Sequence, residues 1–356
     1  MIRINKILTF ILIGFTVLFI QTVVEGKWTV IRDDDIIRGD GIQGMLHDVH
    51  FFNPEKGLVV GDNGLMLVTA DSGKTWKKIE ANSRPQGTTT GQRPGPAAGG
   101  GTPTLYNIYF VNENIGYVTG ARGTILKTED GGKTWNRKVA RNENARPNPN
   151  RRGGGGIRAN LMGIQMISDT IGFIAGSENT ILKTTDGGET WLGSSERARV
   201  GETRNNLENI WFITPTTGWV IGSYGTLLHT TDSGETWKKQ DAGVDNNLFG
   251  IHFVNETTGW ISGQEGLILH TSDGGNTWNE QETDSFDNLH DIMFVDETVG
   301  WAAGDFGSVL HTNDGGKTWK ATKAGGSGTI KGLFATDKDH CWSVDDWGVI
   351  SAYKGE

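Results

Sequence analysis

LFGIHFVNETTGWISGQEGLILHTSDGGNTW, residues 248–278, contains three strand-like pieces set apart by turn residues. The pieces centre on 250–254, 259–262 and 267–270, and a fourth follows Asn276 and includes Trp278. Asn-Glu-Thr-Thr-Gly, a Gly-x-x-Gly and Asp-Gly-Gly divide them, which is hairpin punctuation. The distance from leading Leu to closing Trp is 30 residues, and it recurs at Leu46/Trp76, Leu105/Trp135, Leu161/Trp191, Leu207/Trp237, Leu248/Trp278 and Leu289/Trp319. Four short antiparallel strands in a unit of about 40 residues make a propeller blade.

A seventh unit begins at Ile330, 41 residues after Leu289, and has room for three strands. Lys27-Trp28-Thr29-Val30-Ile31 resembles the Thr236-Trp237-Lys238-Lys239 segment that closes a complete unit. The expected fold is therefore all-β: a seven-bladed β-propeller with four antiparallel strands per blade. The N-terminal strand completes the last blade and removes two exposed sheet edges. Residues 27–356 form one domain, with blades starting near 46, 105, 161, 207, 248, 289 and 330.

The third turn reads TADSGKTW, TEDGGKTW, TTDGGETW, TTDSGETW, TSDGGNTW and TNDGGKTW, with its Asp at 71, 130, 186, 232, 273 and 314. The carboxylate is suited to accept N–H groups inside the turn, and the glycines permit positive φ. The following Trp is expected to insert between neighbouring sheets, worth about 2–3 kcal/mol each. The motif resembles the Asp-box of bacterial-neuraminidase-type repeats, which implies a staple of the fold. His229, His270 and His311 recur before it, where two units carry Lys127 and Lys183, so they read as structural. Cys341, the single cysteine, stands where other units carry Gly and reads as a buried small residue.

Gly is abundant (53) and Trp numbers 13, consistent with tight turns and regularly spaced aromatics. A net charge of -9 argues against a general nucleic-acid binder. Arg3 and Lys6 precede an apolar run over 7–20, and small residues at Val24 and Gly26 suit a cleavage site. Residues 1–26 read as a secretory signal peptide, which places the mature chain outside the cytoplasm, in the periplasm or secreted. No Cys follows the run, so no lipid anchor is expected.

The gap from each Trp to the next leading residue varies: 29, 26, 16, 11, 11 and 11. All this variation falls between one blade's outer strand and the next blade's inner strand, on the face opposite the Asp-boxes. Loops of varied length on one face mark the surface where repeat proteins bind. The insertion at 81–104 is Gly/Pro/Thr-rich, and the one at 136–160 is Arg-rich and Gly/Pro-rich, so both read as mobile when free. Arg122, Arg141, Arg146, Arg151, Arg152, Arg158, Arg197, Arg199 and Arg204 gather there, suited to carboxylate, sulfate or phosphate partners. The turn between second and third strands carries Asn63, Arg122, Glu178, Tyr224, Glu265, Phe306 and Trp347 across the blades. Its aromatics, Tyr224, Phe306 and Trp347, extend the contact surface towards protein or sugar. His47-Asp48 and His290-Asp291 open two inner strands near the channel mouth, with His50 and His252 deeper, a conceivable acid–base set. No phosphate loop, zinc motif or calcium loop is present, so no cofactor and no metal site is expected.

Lines such as GWVIGSYGTLLHTTDSGETW (218–237) and GWAAGDFGSVLHTNDGGKTW (300–319) resemble the photosystem II stability and assembly factor family, and the likeness spans 27–354. It implies an extracytoplasmic seven-bladed propeller acting as a non-enzymatic chaperone in assembling a membrane complex. The family's arginine-rich patch does not align position by position with this chain. The expectation is a monomeric scaffold docking an acidic protein surface of an envelope or membrane complex. The alternative is a carbohydrate-active propeller (glycan binding, glycoside hydrolase or polysaccharide lyase) using the channel mouth. The sialidase F-R-I-P stretch is absent.

Overall fold

A computed structural model describes residues 26–32, 44–80, 102–142, 156–193 and 205–355. The expected signal peptide (up to residue 25), residues 81–101 of the first insertion and 143–155 of the second lie outside them. The described residues form seven sheets, six of four strands and one of five, running outward from a central channel, and their only helical pieces are short 3-10 turns.

Each innermost strand begins on the leading Leu or Ile: Leu46–Asn53, Leu105–Phe110, Leu161–Met166, Leu207–Phe212, Leu248–Phe253, Leu289–Phe294 and Ile330–Asp337. In all seven, the pairing register slips between the first and third residue. This bulge breaks the period-two alternation at the strand's start. Two consecutive side chains, such as His47-Asp48 or His290-Asp291, therefore line the channel mouth together. Beyond the bulge alternation resumes, and Val49 and Phe51, like Ile292 and Phe294, are buried between blades.

A Gly opens the second strand because the end of the innermost strand occupies its face. A Cβ on Gly218 would sit 2.6 Å from the Phe212 ring, and on Gly300 2.5 Å from Phe294. The last blade changes both partners together: Ala335 replaces the ring and faces Cys341. Cys341 is fully buried, as the sequence indicated.

The next residue of the second strand faces a fixed position of the third. The pairs are Leu58/Val68, Tyr117/Lys127, Phe173/Lys183, Trp219/His229, Trp260/His270, Trp301/His311 and Trp342/Ala352. His229 stacks on Trp219 at 4.5 Å, whereas Lys127 reaches Glu189 of the next blade at 2.8 Å. Burial holds the His229 and His270 imidazoles below their usual range. The recurrent histidines are thus packing partners of an aromatic column.

The six Thr-x-Asp turns share one geometry. In the fourth blade Asp232 accepts Thr236 N–H at 2.9 Å, the Thr236 hydroxyl at 2.6 Å and the Thr230 hydroxyl at 2.8 Å. Gly234 N–H donates to Thr230 Oγ1, and Ser233 and Gly234 both take positive φ. The Trp then enters the layer shared with the preceding blade, as Trp135 does among Leu58, Val60 and Phe110.

The N-terminal strand Lys27–Arg32 pairs antiparallel with Ile350–Lys354 as the outer strand of the seventh blade. One departure from four strands occurs in the third blade. Val139–Asn142 adds a fifth, parallel to Thr190–Gly193 and bridged from Arg141 to Gly156. The second insertion was expected as a loop, yet its start is sheet. The outer edge of the third blade offers unpaired backbone groups that Val139–Asn142 satisfies.

Candidate functional site

The turns joining second to third strands share the insertion face with the arriving connections, and hydrogen bonds tie them. Gly225 N–H donates to Asn246 O, Gly266 to Asp287 O and Gly307 to Gly328 O. Gly123 N–H donates to Ala159 O, so Arg122 stands beside the end of the Arg-rich insertion. Arg122, Arg141 and Arg158 are exposed. Arg146, Arg151, Arg152, Arg197, Arg199 and Arg204 lie outside the described residues.

In these turns Asn63, Arg122, Glu178, Tyr224, Glu265 and Phe306 all have φ between 55° and 60°. Asn tolerates this left-handed region; a bulky side chain there is an outlier. Glycine follows five of the six, the pattern of a hairpin with positive φ at both central residues. In the last blade Asp345, where other blades carry Gly, accepts Trp347 N–H at 2.9 Å and Val349 N–H at 2.8 Å. Burial raises its carboxyl to about 6. Trp347 therefore avoids positive φ.

Tyr224 (74% exposed), Phe306 (66%) and Trp347 (64%) project into solvent, and Phe286 (89%) and Met45 (48%) join them. Five of the seven exposed large apolar side chains among the described residues thus lie on this face; Val30 and Val139 are the others. Phe286 escaped the sequence reading because it belongs to a connection of minimal length. The signal for it was an aromatic with no periodic partner between two polar turns.

At the centre of the same face, the seven bulged strand starts enclose a cavity of about 370 Å³. Its upper ring includes His47, Tyr106, Glu208, Phe249, His290 and Lys331. His47 Nε2 lies 2.9 Å from Asp62 Oδ1, and His290 Nε2 lies 2.9 Å from Asp305 Oδ1. The histidines read from the sequence, with Asp48 and Asp291, as a conceivable acid–base set pair here with the turn of their own blade. The signal was present as covariation: only the blades with His at this position carry Asp both beside it and in the turn. Burial lowers His290, with Lys331 adding to that effect, while Asp305 opposes it. Burial raises Glu208 above the usual carboxylate range, with Lys331 opposing.

Asp48 and Asp291 act as latches between blades. Asp48 accepts Val49 N–H and, from the second blade, Ile108 N–H, both at 2.8 Å. Asp291 accepts Ile292 N–H and, from the seventh blade, Leu333 N–H, both at 2.8 Å. Burial raises both carboxyls, Asp291 to about 7. Deeper, His50 sits among Phe52, Phe110 and Phe334, and His252 against Trp211. Burial lowers both imidazoles to about 4. The channel floor is thus aromatic, and the polar groups that meet solvent lie at its mouth.

A closed repeat propeller with exposed aromatic side chains on its loop face and a polar central mouth has the build of a binding propeller. The family model for the photosynthesis system II assembly factor YCF48 matches residues 100–148, 155–241, 194–285 and 236–325, more than half of the chain, and the chain belongs to that family. Among solved structures, YCF48 bound to D1 peptide is similar at TM-score 0.64 and 18% identity, over 93% of this chain and 96% of that one. YCF48 from Cyanidioschyzon merolae is similar at 0.66 and 18%, over 92% and 98%. The WD40 propeller domain of Doa1 is similar at 0.64 and 10%, over 93% and 98%. Comparison with curated proteins gave no match.

Proposed function

We propose that this chain is a non-enzymatic assembly scaffold that docks an acidic protein segment on its insertion face. One observation carries the reading: the exposed aromatic and apolar side chains concentrate on this face, which also carries Arg122 and Arg158. An apolar patch rimmed by charge is the signature of a protein-binding surface. The structural likeness to a YCF48 chain bound to D1 peptide supports a peptide-binding use of the fold. The strained Tyr224 and Phe306 support it further, because backbone strain persists where the surface is used. The partner belongs to an envelope or membrane complex, and residues 1–26 direct export. N-terminal sequencing of the mature protein starting at Lys27 tests the export step.

Capture from the native envelope tests the docking. Wild type retains a defined set of proteins; Arg151→Glu/Arg152→Glu/Arg158→Glu and Tyr224→Ala/Phe306→Ala/Trp347→Ala each lose it. Recovery of the same set by both variants defeats the proposal.

The 370 Å³ mouth with its two His–Asp pairs favours a second reading, a glycan bound at the channel entrance. It requires binding or turnover on a polysaccharide panel that disappears in His47→Ala/His290→Ala.

A further inference from the structure

On the opposite face, with the Thr-x-Asp turns, the seam between the first and second blades is built unlike the others. Six blades place a buried ring at the second position of the second strand: Tyr117, Phe173, Trp219, Trp260, Trp301 and Trp342. In three of the seams the second turn glycine of the following blade packs on that ring: Gly188 on Tyr117, Gly234 on Phe173 and Gly275 on Trp219. The first blade has Leu58 there, and Val68 opposite it in place of His or Lys. The equivalent Gly132 therefore meets a Leu58 methyl and the Trp135 ring of its own turn, with no ring from the first blade. A cavity of about 520 Å³ opens at this seam, with Phe52, Leu58, Val68 and Ile79 among its apolar lining. Exposed Lys56, Lys77 and Lys133 stand on its rim. Of the two acids there, Glu113 is exposed on the rim, and Asp130 turns its oxygens into its own turn, to Thr128 and Thr134, so the three lysines still outnumber the free carboxylate.

We propose that this seam is a binding site for an aromatic side chain of an acidic peptide segment. The incoming ring takes the place that a Trp, Tyr or Phe fills in the other six blades, and flanking carboxylates meet the lysine rim. A ring gains from this geometry because the seam already offers the edge and glycine surfaces that hold the intrinsic rings. The rim lysines add attraction that salt weakens. The site is remote from the insertion face and independent of the docking proposed there.

The test uses the full-length protein with labelled methyl groups and an acetylated, amidated Glu-Trp-Glu tripeptide. The expected result is a saturable shift of the Leu58, Val68 and Ile79 methyl signals. A Lys-Trp-Lys or Glu-Ala-Glu peptide binds at least about tenfold more weakly, since each lacks one of the two terms. Leu58→Trp/Val68→His rebuilds the pair of the fourth blade and abolishes the shift at the remaining Ile79 methyl. Should that variant not fold, the surface changes Lys77→Glu/Lys133→Glu decide, because they weaken binding without entering the core. The proposal is overturned by absent wild-type shifts, by equal binding of the three peptides, or by unaltered binding in a folded variant of either kind.

Discussion

Trp28 lies directly across the strand pair from Tyr353, with ring centroids 5.6 Å apart. In this register Trp28 occupies the place held in the fourth blade by Trp237, since Thr29 faces Ala352 as Lys238 faces His229. The two ends of the chain thus share one sheet and bury Trp28 with Trp301 and Cys341. Trp28→Ala is expected to cost about 3–5 kcal/mol, read as the shift in urea unfolding. Deletion of 27–32 exposes the edge of Ile350–Lys354 and should produce association on size-exclusion chromatography. A monomeric deletion variant of wild-type stability would contradict the closure.

The carboxylate of Asp232 is pulled down to about 2, chiefly by Thr236 hydroxyl and N–H donors. A depressed carboxyl stabilises above its unfolded value and loses that contribution as pH falls through the folded value. Asp232→Ala should cost only about 1 kcal/mol at neutral pH, the site being solvent-exposed. The difference from wild type should shrink between pH 4 and about 2. A difference that holds constant to the acid limit would assign the loss to packing alone.

Asp291 carries the opposite sign. Its folded carboxyl is raised to about 7, so the folded state holds a proton that the unfolded chain has already released above about 4. That contribution is complete at acid pH and disappears as pH rises through 7. Asp48 shifts in the same direction, with Asp291 adding to the effect of burial. His50 and His252, lowered to about 4, instead favour the folded state above the ordinary imidazole range. Asp291→Asn is expected to lose the Leu333 latch yet flatten the fall in stability from pH 5 to 8. Urea midpoints at three pH values measure this; parallel profiles for wild type and variant would refute it.

Phe306 sits at φ 57° with two thirds of its surface in solvent. Asn63 holds the same position in the first blade at φ 55°. Phe306→Asn should therefore raise stability by about 0.5–1 kcal/mol while weakening partner capture. A variant that is both less stable and fully active would show the ring to be structural.

The blade count, the closure and the burial of Cys341 were legible because each repeats or breaks a column that sequence alone displays. Ala335 opposite Cys341 is such a break: the ring and the glycine that accommodates it disappear together. The bulge was not legible, because a slip of register leaves the residue pattern of the strand unchanged. It is nevertheless what turns His47 and Asp48 to the mouth together. The pairing of His47 with Asp62, 15 residues away in the turn after the second strand, was legible only by comparing blades, because no single repeat displays it. The fifth strand, Val139–Asn142, was obscured because Arg and Asn in a Gly/Pro-rich setting signal a loop.

By itself, the sequence determined what depends on periodicity: seven blades, a turn that repeats, and a face on which connections vary in length. These are local rules applied seven times, so the residues state them directly. Only the tertiary structure decided which neighbours each exception meets. It set Leu58 in a seam where every other blade carries a ring, and it brought Phe286 to the loop face that also carries Phe306. Such contacts depend on the angle and spacing between adjacent sheets, which no single repeat encodes, because each blade buries its apolar side only against the next.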